Sequence, residues 1–260
     1  MGATFHWEVT MARLFAGLMI LSVAIAASAC GNAAPPAAKE PAAAASAQPS
    51  ADTAARMAGH FGKVRELEEA VIRGDLESAK TAARWIAEHQ EASGLPAGTE
   101  SYVTTTRNAA RAVAASESLG NAGLAAAFAV DACGECHAAA KVAPKMPEVS
   151  APAASTTAAS HMLAHQYAVD LMYRGMVAPS EALWKQGAEA LKGSPLSDKD
   201  LTKVPKGIAA SEARVHEIAG RAAQAADAGA RIAIYGELIG GCASCHAGHG
   251  RVLGPGLPKS

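Results

Sequence analysis

Apolar and polar positions along the chain recur at the three- and four-residue spacing of helices. No useful stretch alternates with the period of two that a half-buried strand requires. Met57, His60, Val64, Leu67 and Val71 step by 3, 4, 3 and 4 residues, so they form one inward seam of a helix. Met162, His165, Val169, Met172 and Met176 repeat the same steps, and Met162 follows Met57 by 105 residues. Breakers divide the first half into four helical segments. They run from about Asp52 to Arg73, from Asp75 to the Gly94-Leu95-Pro96 turn, from Glu100 to Ser118, and from Asn121 through a Cys-x-x-Cys-His sequence. In the second half the pattern predicts helices over about Thr157–Val177, Ser180–Lys192, Ile208–Asp227 and Gly229–His246, with a polar loop at 193–207. Helices of this length joined by mostly short turns suit antiparallel bundles. The expectation is therefore an all-α protein of two tandem antiparallel four-helix bundles.

Composition sharpens this picture. Half of the residues are apolar but only 4% are aromatic, and alanine dominates most segments. Alanine favours helix because it loses no side-chain entropy there. A core of such small side chains also leaves room for something large. The balance of 23 basic and 24 acidic residues argues against nucleic acid as a partner.

The N-terminus reads as an export signal: Arg13, an apolar run from Leu14 to Ala27, then Ser28-Ala29-Cys30. The run is too short to span a membrane comfortably. Translation begins at Met1 or at Met11. Ala27-Ser28-Ala29-Cys30-Gly31 resembles the lipidation site of bacterial lipoproteins, which implies an acyl anchor on Cys30 and a periplasmic, membrane-tethered protein. The simpler alternative is plain cleavage near Ala29. The expected organisation is a signal peptide at 1–30, an Ala/Pro-rich linker at 31–51, a first bundle at 52–141, a linker at 142–156, a second bundle at 157–250 and a tail at 251–260.

Chemistry concentrates at the end of each half. Cys133-Gly134-Glu135-Cys136-His137 and Cys242-Ala243-Ser244-Cys245-His246 are the same five-residue pattern at repeat-equivalent places. On a helix the two cysteines share a face and the histidine lies one turn from the first of them. Such a set suits thioether attachment of a haem through Cys133 and Cys136, or Cys242 and Cys245. His137 and His246 then become proximal iron ligands. A thioredoxin-type redox pair lacks the strand-helix alternation of that fold. A shared zinc would have to join motifs that close separate repeats. A disulfide at this spacing within a helix is strained. The expected cofactors are two haem c groups.

Because the motif ends the last helix of each half, both halves resemble the class II cytochromes c, the cytochrome c-prime family. The resemblance covers about Asp52–Lys141 and Thr157–Gly250, and Met57-Ala58-Gly59-His60-Phe61-Gly62 looks like first-helix sequence of some members. It implies a haem attached to the fourth helix with its distal face toward the first. The candidate sixth ligands are then the seam histidines His60 and His165, with Met57 and Met162 as alternatives. A five-coordinate iron, with Ala54 and Ala159 leaving room, is a third arrangement. Of the other histidines, His89, His161 and His216 lack counterparts between the halves and are expected to be solvated or capping, and His249, present in the second half only, is expected at the surface. The Glu66-Leu67-Glu68-Glu69 run, Arg107 and Arg111 are expected on the surface.

The function these features imply is electron transfer by an exported protein that is not an enzyme, exchanging electrons with redox partner proteins. The alternative is binding or sensing of nitric oxide or carbon monoxide at an open iron. Bundles of this type often pair as homodimers.

Overall fold

Side-chain hydroxyls start the helices. In the computed structural model Ser50, Ser118, Thr157 and Ser180 each accept a hydrogen bond from the backbone N–H three residues on. Such a cap contributes about 1 kcal/mol. Residues 50–89, 93–153, 157–193 and 207–249 are described. The segment read as an export signal, with Cys30, nearly all of the 31–51 linker and the 251–260 tail lie outside them.

Every regular element among the described residues is an α-helix, so the all-α expectation holds. The first repeat gives α1 (Ala51–Ile72), α2 (Leu76–His89), α3 (Glu100–Ala114) and α4 (Leu119–Ala140). The second gives α5 (Ala158–Val177), α6 (Glu181–Lys192), α7 (Ile208–Ala222) and α8 (Ala228–His249). No described helix is long and apolar enough to cross a membrane.

The third helix of each repeat ends before its predicted boundary, for one shared reason. Ser118 is consumed as the N-cap of α4. Asp227 likewise accepts from the Ala230 N–H and opens α8. A residue that caps the next helix has extended backbone and cannot close the previous one.

Small residues decide how the repeats meet. A Cβ added at Gly123 would stand 2.9 Å from the Gly236 carbonyl oxygen, and one at Gly236 would stand 2.7 Å from Leu124 Cα. Gly240 faces Gly120 in the same way, at 3.3 Å. Later residues of α4 thus meet earlier ones of α8, and the two motif-bearing helices run antiparallel at close range. The described residues belong to one compact unit. The linker therefore joins two repeats in direct contact. Their first helices are also shared: α1 lies on α2, α4 and α8, whereas α5 lies on α6 and on α4 of the other repeat. The picture of two self-contained bundles does not anticipate this interlocking.

Alanine is the commonest residue of the core, and Trp184, Tyr173 and Tyr235 are its largest fully buried side chains. Trp184 donates its indole N–H to the Ala222 carbonyl at 2.8 Å, tying α6 to α7. Glu68 is 1% exposed, which corrects the reading of its acidic run as surface. It accepts from the buried Tyr235 hydroxyl and pairs with Arg65 at 2.6 Å. Arg65 also pairs with Asp170 of α5 and lies over the Tyr173 ring at 4.9 Å. Burial lifts the Glu68 carboxyl to about 7, and Arg65 and Tyr235 pull it back only in part. An unpaired charge here would be costly, so this cluster fixes how α1, α5 and α8 sit together.

Candidate functional site

Both motifs lie in the last turns of α4 and α8, and their four thiols are free and half-buried. Burial pushes the Cys133 and Cys242 thiols up to about 12, with a smaller contribution from the neighbouring Cys136 and Cys245. Cys136 is raised as well, again by burial. A redox-active pair needs the opposite shift, toward the thiolate.

The motif histidines are held from across the molecule. His137 Nδ1 lies 2.8 Å from the Val177 carbonyl oxygen, at the end of α5. His246 Nδ1 lies 2.6 Å from the Ile72 carbonyl oxygen, at the end of α1. Val177 and Ile72 are 105 residues apart and therefore equivalent, so each repeat orients the other's motif histidine. A carbonyl can only accept. Nδ1 must then carry the proton, which leaves the Nε2 lone pair as the ring's ligand atom. A backbone carbonyl on the far nitrogen is the usual support of a metal-binding imidazole.

Close backbone contact backs up this arrangement. A Cβ at Gly134, inside the first motif, would collide with the Met176 carbonyl. In the second repeat the glycine stands on the other partner. Gly74, at φ +74°, faces the Ala243 carbonyl, and a Cβ there would be 2.9 Å away.

The candidate sixth ligands lie where the seam put them. His60, Val64, Leu67 and Val71 are buried, with Met57 half-buried at the seam's start. His60 meets the Trp85 ring edge-on, with centroids 5.7 Å apart. His89 stacks on Trp85 and its Nδ1 bonds the Trp85 carbonyl at 2.9 Å. In the second repeat His165, Val169, Met172 and Met176 are buried and Met162 is half-buried.

The surroundings of His165 depart from expectation. His161 is 7% exposed rather than solvated, and its Nε2 stands 2.8 Å from Glu212 Oε1 of α7. The same oxygen is 3.0 Å from His216 Nε2 and 3.7 Å from His165 Nε2. The His161 and His165 rings tilt together with centroids 4.1 Å apart. Burial, with His161 and His216 beside it, pulls His165 down to about 4 and leaves it a neutral imidazole at neutral pH. Burial opposes the Glu212 charge, but the three histidines outweigh it and hold the carboxyl at about 2. The spacing His161–His165 and Glu212–His216, four residues in each helix, was available as a signal. The first repeat has no counterpart. Arg56 stands in place of His161 and bonds the Ser93 carbonyl at 2.5 Å, and α3 contains no histidine.

Among known proteins, no family model, no curated protein and no solved structure matches this chain.

Proposed function

We propose that the chain is an exported dihaem c-type cytochrome that carries electrons between partner proteins. The observation that bears most on this reading is the reciprocal anchoring of His137 and His246. Each motif offers two free thiols one turn apart on a helix, and one imidazole whose Nδ1 is fixed and whose Nε2 is the remaining ligand atom. These are the groups that two thioethers and one proximal iron bond require. The haem supplies a one-electron ferric–ferrous couple. The protein's part is to hold the imidazole and limit water around it.

In the first repeat His60 is the proposed sixth ligand, with Met57 one turn earlier as the alternative. In the second, His165 faces Glu212, so Met162 competes for that place. A filled axial shell suits electron transfer, because little has to move on reduction. The antiparallel contact between α4 and α8 holds the two motifs toward opposite ends of one compact unit. The N-terminal segment is proposed to direct the chain to the periplasm and to tether it through a lipid on Cys30. The class II resemblance of the helix layout and motif position belongs to the same reading.

Absorption and magnetic circular dichroism spectra of the oxidised and reduced protein test it. Low-spin, six-coordinate spectra that carbon monoxide leaves unchanged are expected. Rapid formation of a carbonyl adduct would instead place the protein among binders of diatomic gases.

A further inference from the structure

The second repeat contains a set of ligand atoms that neither haem motif uses. His161 and His165 project from one face of α5, four residues apart, and Glu212 and His216 from one face of α7 with the same spacing. The ligand atoms of His161, His165 and Glu212 all lie within 4.8 Å of one another. All three residues are buried, at 7%, 8% and 7% exposure.

Hydrogen bonding alone does not satisfy this group. His165 Nε2 is buried, has no hydrogen-bond partner and stands 3.7 Å from Glu212 Oε1, too far for a bond. His161 Nε2 is within 2.8 Å of that oxygen but is also without hydrogen-bond geometry. Three imidazole nitrogens thus converge on one carboxylate oxygen, and two of them are left over in a buried place where an unmatched polar atom is costly. One cation among them would give every lone pair a partner.

We infer that His161, His165 and Glu212, completed by His216, form a site for a divalent transition-metal ion of the zinc class. Three imidazoles and one carboxylate suit zinc, which takes four ligands in a tetrahedron at roughly 2.0–2.2 Å. Ligands at those distances are about 3.3–3.6 Å apart, by the geometry of a tetrahedron, and the observed gaps require only small side-chain shifts to reach this. Both pairs of ligands stand on helices, and α6 braces those helices through Trp184. The metal would clamp α5 to α7, two helices whose backbones otherwise approach each other little. The inference stands on this cluster alone and does not rest on haem attachment. If it holds, His165 is committed to the metal, and Met162 becomes the sixth ligand of the second haem.

The test is zinc binding by the purified full-length chain after removal of bound metal with a chelator. Competition against a chromophoric chelator is expected to give one tight Zn²⁺ per chain. His161→Gln and Glu212→Gln should each weaken it on the order of 100-fold, whereas His89→Ala, outside the cluster, should not. Zinc at saturating concentration should raise the Tm of the wild type by about 5–10 °C and leave both cluster variants unmoved. Circular dichroism in chelator confirms that the variants fold. Absence of stoichiometric zinc in the wild type, or wild-type affinity in folded His161→Gln and Glu212→Gln, would overturn the site. So would zinc binding that survives His165→Ala while a haem signal is lost, since that assigns His165 to iron. Loss of zinc binding in protein that still holds two haems separates failure of this site from failure of the cytochrome reading.

Discussion

The two repeats share a plan but differ in what their first helix buries. In the first, α1 carries His60 against Trp85 and sets Arg65 and Glu68 into the centre of the molecule. In the second, α5 carries Asp170 and Tyr173 at the positions equivalent to Arg65 and Glu68, 105 residues on. Its polar group lies nearer its start, where His161 and His165 meet Glu212 and His216. What the repeats keep in common is the last turn: two thiols, an imidazole, and a carbonyl from the other repeat to orient it. The retained part is the proposed haem chemistry. The divergent parts are a central ion-pair cluster in one case and a candidate metal clamp in the other.

The largest effect expected falls on both repeats equally. Serine at both Cys133 and Cys136 should lower covalent haem from two per chain to one, and serine at both Cys242 and Cys245 should do the same, as read by pyridine haemochrome assay. Loss of both haems from either variant would mean that one motif depends on the other.

A second prediction separates the repeats on stability and pH. Glu68 is protonated more readily in the folded protein than in the unfolded chain, where its value is 4.5 against about 7 folded. Its contribution is therefore fully present below about pH 4.5 and is lost as pH rises through about 7. The loss should be on the order of 3 kcal/mol in urea unfolding, since one unit corresponds to about 1.36 kcal/mol. Glu68→Gln should flatten that slope, and Tyr173→Phe at the equivalent position should leave it.

The motif turns give a third comparison. Gly134→Ala should destabilise by about 2–3 kcal/mol, because its methyl meets the Met176 backbone rather than a movable side chain. Ala243→Gly, at the matching place, should lose only about 1 kcal/mol of helix propensity. Equal effects would show that the two last turns pack alike. Smallest is the cap: Ser118→Ala should remove about 1 kcal/mol, measured as a shift in the urea midpoint.

Local features of this fold were legible in the sequence, and distant ones were not. The number and order of the described helices, and most of their boundaries, follow from seam spacing and breakers, because those signals act within a few residues. The seam residues from His60 to Val71 and from His165 to Met176 are buried as their spacing implies. The shortened α3 and α7 show where the breaker rule failed. Ser118 and Asp227 read as ends of one helix but serve as starts of the next. Glu68 looked solvated because its neighbours are acidic, whereas its helical position faces Tyr235, 167 residues away. His161 and His216 have no counterparts in the first repeat, so matching the repeats to each other hides them. The i, i+4 pairing within each helix carried the better signal. The exchange of anchoring carbonyls between repeats has no local signature at all. It depends on glycines that let α4 and α8 approach, and on where α1 and α5 then end.

Haem attachment is tested most directly by the mass of the intact chain, expressed in a host that attaches haem c and measured after denaturation. The denatured polypeptide is expected to be heavier by two haems, with fragments containing Cys133–Cys136 and Cys242–Cys245 each carrying one. A chain with the unmodified mass and four alkylatable thiols at these positions would contradict it.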